Sequence, residues 1–181
     1  SGFYPRWGFG LSFMGGAAPG TGENFGNMIY ANGYFYFPGI TPQQGLKITA
    51  TAQKQNVEGK SYYLSSFASL PRGYKNISTT EEFVKATLDY AIPIYLGDYN
   101  LWSILYFKRM TLIPFADYAL DRVPGVRTTQ YYSFGSDILF DIYPFRFNVP
   151  VSLGMRYAYT GPQGPDVRRH QFEFLFSLDL P

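Results

Sequence analysis

From Gln171 onward the chain reads Gln-Phe-Glu-Phe-Leu-Phe-Ser-Leu-Asp-Leu. Side chains of an extended strand leave on alternate faces. Phe172, Phe174, Phe176, Leu178 and Leu180 therefore form an oily side, and Gln171, Glu173, Ser177 and Asp179 a polar one. The same period of two recurs upstream. A first strand, about Arg6 to Met14, sets Trp7, Phe9, Leu11 and Phe13 against Gly8, Gly10 and Ser12. A second, Asn27 to Phe37, is dense in Tyr and Phe. The third sets Leu46, Ile48, Ala50 and Ala52 against Lys47, Thr49, Thr51 and Gln53, and the fourth sets Val84, Ala86, Leu88, Tyr90 and Ile92 against Lys85, Thr87, Asp89 and Ala91. A fifth runs from Trp102 to Leu120. The sixth opposes Tyr132, Phe134, Ile138, Phe140 and Ile142 to Ser133, Gly135, Asp137 and Asp141. The seventh opposes Val149, Val151, Leu153, Met155, Tyr157 and Tyr159 to Pro150, Ser152, Gly154 and Arg156.

The connections add a second pattern. Residues 15–26, 56–80, 121–128 and 160–168 read as long loops, whereas 38–45, 97–100 and 144–148 read as short turns. Outer-membrane barrels alternate long outer loops with short periplasmic turns and end in the periplasm. Counting back from Pro181, the order long, short, long is kept throughout. The expected fold is all-β: an antiparallel up-and-down transmembrane β-barrel, with eight strands in a single domain spanning 1–181. Tyr95, Tyr99, Trp102, Tyr106, Tyr143, Tyr157 and Tyr159 fall near strand ends, where interfacial aromatic belts sit. The competing reading is a soluble eight-stranded barrel with its oily face inward around a ligand. A small barrel interior has little room for so many large aromatics on one face.

Composition sharpens this choice. Tyr and Phe number 17 each and charged residues are only 15%, yet no apolar run approaches the roughly 18 residues of a spanning helix. Apolar content without apolar runs is the signature of strands with one oily face. A net charge of +2 with no Lys/Arg cluster argues against nucleic acid as a partner. The absence of Cys excludes disulfides and thiolate metal sites, and one histidine is too few for a structural zinc site. No leader-like segment precedes Phe9, so the chain reads as the mature, C-terminal piece of an exported protein of the bacterial outer membrane.

Candidate chemistry is sparse. His170, beside Arg168 and Arg169, would need Ser152 or Asp166 nearby to build a barrel hydrolase; a solvated histidine at a loop edge is the simpler account. Asp137 and Asp141 share a strand face but lie roughly 13 Å apart at the usual rise, too far for either glycosidase geometry. Gly8-Phe9-Gly10 follows no strand and opens no helix, so it is not a nucleotide fingerprint.

Two short motifs carry a family resemblance. Pro71-Arg72-Gly73-Tyr74 lies in the longest loop, five strands before the end, and Phe115-Ala116-Asp117-Tyr118-Ala119 lies in the fifth strand. Their order resembles the outer-membrane assembly-factor superfamily, of the BamA/TamA surface-antigen kind. There a long loop with an Arg-Gly-Phe/Tyr tip folds into the lumen and meets the aspartate of a Phe-x-Asp-x-Gly strand. The resemblance implies that loop 56–80 reaches into the lumen and that Arg72, Gly73 and Tyr74 latch onto Asp117 and Phe115. It further implies that the chain corresponds to the C-terminal half of a sixteen-strand barrel. The implied role is inserting or translocating outer-membrane proteins, without a cofactor and without covalent chemistry, through an openable seam and local thinning of the bilayer. Its partners would be the lipid bilayer, client outer-membrane proteins, and periplasmic or surface subunits. Ala119 replaces the motif glycine, the chain ends Asp-Leu-Pro rather than in an aromatic, and no POTRA-like repeat is present. Pro5-Arg6-Trp7-Gly8, Pro38-Gly39-Ile40 and Tyr106-Phe107-Lys108-Arg109 also resemble the barrel region of large Bacteroidota proteins with a periplasmic propeller. The alternative from another class is a passive barrel serving as anchor, pore or receptor.

Overall fold

The computed structural model describes residues 4–18, 26–57, 65–75, 78–101, 105–144, 151–161 and 169–178. Trp102, Asp166 and the stretch from Asp179 to Pro181 lie outside them, as do the side chains of Tyr99, Tyr106 and Tyr143. The eight strands are β1 (Gly8–Ala18), β2 (Gly26–Pro38), β3 (Gly45–Val57), β4 (Glu82–Leu101), β5 (Leu105–Val123), β6 (Arg127–Pro144), β7 (Val151–Thr160) and β8 (His170–Leu178). They form one sheet in chain order, every neighbouring pair antiparallel. The sheet is open: the ladder ends at β1 on one side and at β8 on the other.

Burial is inverted relative to a soluble domain. On one face Trp7, Leu11, Phe13, Phe172 and Phe176 stand exposed, with Phe9 at 74% and Phe174 at 71%. On the other, Thr51, Gln55, Lys85, Ser133 and Asp137 are buried, with Gln53 and Asp117 each only 3% exposed. An exposed face of large apolar rows is the informative feature of this sheet, since scattered single apolar residues at a surface are ordinary. Alternation set these faces as the sequence suggested, because a period of two admits only one choice once one face is covered.

Strand extents differ from the expectation at several points: β1, expected to end near Met14, runs on to Ala18, and two connections change. Residues 97–100, read as a turn, continue β4, and the ladder absorbs the break in pattern by a register shift between Tyr95 and Tyr99. A bulge of this kind inserts residues without ending a strand. The connection expected to be long at 121–128 is instead a tight turn, since β5 and β6 pair as far as Val123 opposite Arg127. Pro124 presets the first corner, Gly125 takes a positive φ of 74°, and Val126 N–H donates to the Val123 carbonyl at 3.0 Å. That is the chemistry of a type II turn, and it breaks the strict alternation of long and short connections.

The β1 edge is glycine-rich for a packing reason. Gly10 lies directly across from Tyr34, and a Cβ there would sit 2.2 Å from the Tyr34 ring. The β2 tyrosine thus lies over its β1 neighbour, the aromatic cover that shields an edge glycine.

Candidate functional site

The polar face is buried because a segment of chain, residues 65–75, crosses it. This strap is bound to one strand after another. From β3, the Gln53 Oε1 accepts three donors: Ser66 Oγ at 3.1 Å, Phe67 N–H at 2.8 Å and Ala68 N–H at 3.0 Å. From β4, Lys85 Nζ donates to Ser69 Oγ at 2.9 Å and to the Ser69 and Leu70 carbonyls at 3.2 and 3.3 Å. From β5, Asp117 grips Arg72 three times: from the Arg72 backbone N–H (2.8 Å) and Nε (3.0 Å) to Oδ2, and from Nη2 (2.7 Å) to Oδ1. Tyr74 hydroxyl reaches the Tyr132 carbonyl of β6 at 3.0 Å and the Gly161 carbonyl just past β7 at 3.3 Å. Lys75 closes the series with an ion pair to Glu173 of β8 at 2.7 Å.

Each contact follows from local sequence. Alternation points Gln53, Lys85 and Asp117 to the same face. Gly73 takes φ 87°, which turns the strap tip, and a Cβ there would meet Thr160 Cγ2 at 2.6 Å. The residue is small because backbone passes close to the wall and because φ is positive. Below it, Tyr74 packs edge-on against Tyr131 at 5.2 Å between centroids, within a cluster of Ala68, Phe83 and Ala119.

The charged centre is dense. Arg72 Nη2 also lies 2.6 Å from Asp89 Oδ1, and its guanidinium stacks 3.7 Å above the Phe115 ring. Burial works against the Arg72 charge, but the hydrogen bond and charge of Asp117, then those of Asp89, outweigh it and leave the group above its ordinary value. Burial pushes the Tyr74 hydroxyl up, so it stays a protonated donor. Of the motif pair, Arg72 meets Asp117 and Phe115, whereas Gly73 lies against Thr160 and Tyr74 against Tyr131 and the Tyr132 and Gly161 carbonyls.

Other candidates separate. Asp137 and Asp141 each hold their own arginine: Arg156 binds Asp137 through two bonds of 2.7 Å, and Arg109 Nε donates to Asp141 at 2.8 Å. These are two separate ion pairs rather than a carboxylate dyad. Ser152 Oγ donates to Asp141 at 2.9 Å. It sits opposite Ser177, seven positions along β8 from His170, or roughly 23 Å. His170 instead pairs its Nδ1 with the Tyr157 hydroxyl at 2.8 Å, so Ser152 and His170 do not form a pair. Among the described residues no group of His, Asp and Glu could hold a metal ion.

Sequence reasoning overlooked Gln53, Lys85, Asp89 and Arg156 as site residues. For Arg156 the signal existed, since it lies in register across from Asp137. For Gln53 and Lys85 none did, because their partners are backbone and serine hydroxyl groups of a distant loop. No family model matches the chain, and no curated protein or solved structure matches it either.

Proposed function

We propose that this chain forms part of the wall of a transmembrane β-barrel in a bacterial outer membrane, and that it acts in inserting or translocating outer-membrane proteins without a cofactor. The observation that carries this reading is the strap tip: Arg72 and Asp117 meet by three hydrogen bonds on the buried polar face, while the opposite face exposes aromatic rows. The oily rows suit lipid, and an arginine in a confined lumen requires a bidentate carboxylate. The open edges of β1 and β8 also fit, because strand edges cannot face lipid unpaired and would meet further strands or a client there. The test is Arg72→Met in the full-length protein, followed by the folded fraction of other outer-membrane proteins. Loss of client folding while the variant itself stays folded and abundant supports the proposal. Normal client folding would leave the anchor reading.

One observation favours that second reading, a passive barrel acting as anchor, pore or receptor. The strap is bound from β3 through β8, so it serves equally well as a structural plug.

A further inference from the structure

The oily face of β7 and β8 gives way to basic side chains at one end only. Along β8 the outward row is Phe172, Phe174, Phe176 and Leu178, and beside it on β7 stand Leu153, Met155, Tyr157 and Tyr159. None of these carries a charge. His170 is the next outward position beyond Phe172, and Arg169 precedes it; both are exposed. The one carboxylate of β8, Glu173, lies on the opposite face, where Lys75 holds it at 2.7 Å and Arg156 at 3.6 Å. The end of the oily row is therefore locally basic. At the same end of the sheet, Lys54, Glu82 and Arg122 form a cross-strand row, but there Glu82 already takes Lys54 at 3.0 Å.

The basic end is ordered by its neighbours. The His170 ring stacks on Tyr157 at 6.1 Å between centroids and meets Tyr159 edge-on at 5.3 Å. Its Nδ1 pairs with the Tyr157 hydroxyl at 2.8 Å, so Nε2 is the nitrogen left to meet a ligand. Tyr157 in turn lies 5.2 Å from Phe172, which joins the histidine to the oily row. The Arg169 carbonyl accepts from the Thr160 N–H at 2.9 Å, which fixes the backbone just before His170. Groups already held in place lose little freedom on binding. A guanidinium fork beside an imidazole is a donor set for phosphate oxygens. Tyrosines at the edge of an oily band belong to the boundary between hydrocarbon and headgroups. A free anion would have no use for the phenylalanine row, and an acidic protein would need a broader basic surface. A lipid uses both parts: its chains lie along the row and its headgroup meets the basic end.

We infer that Arg169 and His170, with Tyr157 and Tyr159, form a binding site for the phosphate headgroup of an anionic lipid whose chains lie along Phe172, Phe174 and Phe176. This rests on the transmembrane reading and adds to it a specific lipid partner; it holds whether the barrel inserts proteins or is passive.

The experiment is electron spin resonance of the full-length protein in phosphatidylcholine bilayers, with spin-labelled phosphatidic acid and spin-labelled phosphatidylcholine as probes. The motionally restricted component at the protein surface gives the relative association of the two lipids. One basic side chain near a bilayer surface favours an anionic lipid by about fivefold, so a preference of about that size is expected. In the double variant Arg169→Gln with His170→Gln it should fall below about twofold, while restricted phosphatidylcholine stays at the wild-type level and reports an intact wall. Arg122→Gln, at the same end but outside the site, should keep the preference. No preference for phosphatidic acid, or one that survives the double variant, overturns the site and leaves the membrane reading standing. No restricted component with either probe overturns both. An equal loss in Arg122→Gln would assign the preference to the charge of the whole rim and overturn the site. Loss of the preference in millimolar inorganic phosphate would make the ligand a free anion and overturn the lipid.

Discussion

Breaking the Arg72–Asp117 contact from each side should cost unequal amounts, and the inequality can be worked from the structure. Asp117 has a fully buried side chain and receives all three of its strap bonds from Arg72. Removing one partner of a buried pair costs about 3–5 kcal/mol, because the other is left uncompensated. In Arg72→Met, Asp117 keeps only the backbone N–H of residue 72, so this variant belongs at the upper end of that range. In Asp117→Leu, Arg72 retains Asp89 at 2.6 Å and the Phe115 face, so its loss belongs at the lower end. The double variant removes both charges and should recover part of the loss, giving a coupling energy of about 2–3 kcal/mol. Urea unfolding of the protein refolded into lipid vesicles, followed by Trp7 and Trp102 fluorescence, measures all four states. Additive losses, with a coupling below about 0.5 kcal/mol, would show that the pair does not hold the strap as argued.

Two further outcomes follow. The glycines with positive φ give an internal comparison: Gly125→Ala has no atom within 4 Å of the new Cβ and should cost only the left-handed penalty of about 1–2 kcal/mol, whereas Gly73→Ala also drives a Cβ to 2.6 Å from Thr160. Equal destabilisation of the two in the same vesicle assay would mean that the strap tip is not pressed against β7. Separately, Phe9→Cys with Phe174→Cys should form no disulfide within one molecule, since the β1 and β8 edges are unpaired and a bridge needs Cα atoms within about 7 Å. A rapid intramolecular bridge on non-reducing gels would mean that the eight strands close on themselves.

Strand number and facing were legible from the alternation, because side-chain direction in a strand is a local property with a period of two. The motif residues Arg72 and Asp117 were legible only through resemblance; nothing in their spacing of 45 positions brings them together. Strand ends were less readable. Gly97-Asp98-Tyr99-Asn100 has turn chemistry, yet β5 and β6 supply a long wall alongside it and the strand runs on through a register shift. Likewise, Val123-Pro124-Gly125-Val126 is a turn by composition, but only the pairing of Val123 with Arg127 shows how short the connection is. The sequence by itself therefore determined the class of fold, the oily and polar faces and the lack of cysteine chemistry. The tertiary structure alone decided that the sheet stays open, that Gln53 and Lys85 hold the strap, and that Asp89 joins the Arg72 centre. The physical reason is range: alternation is written between neighbours, whereas register, edge pairing and the course of a strap across six strands depend on contacts tens of residues apart.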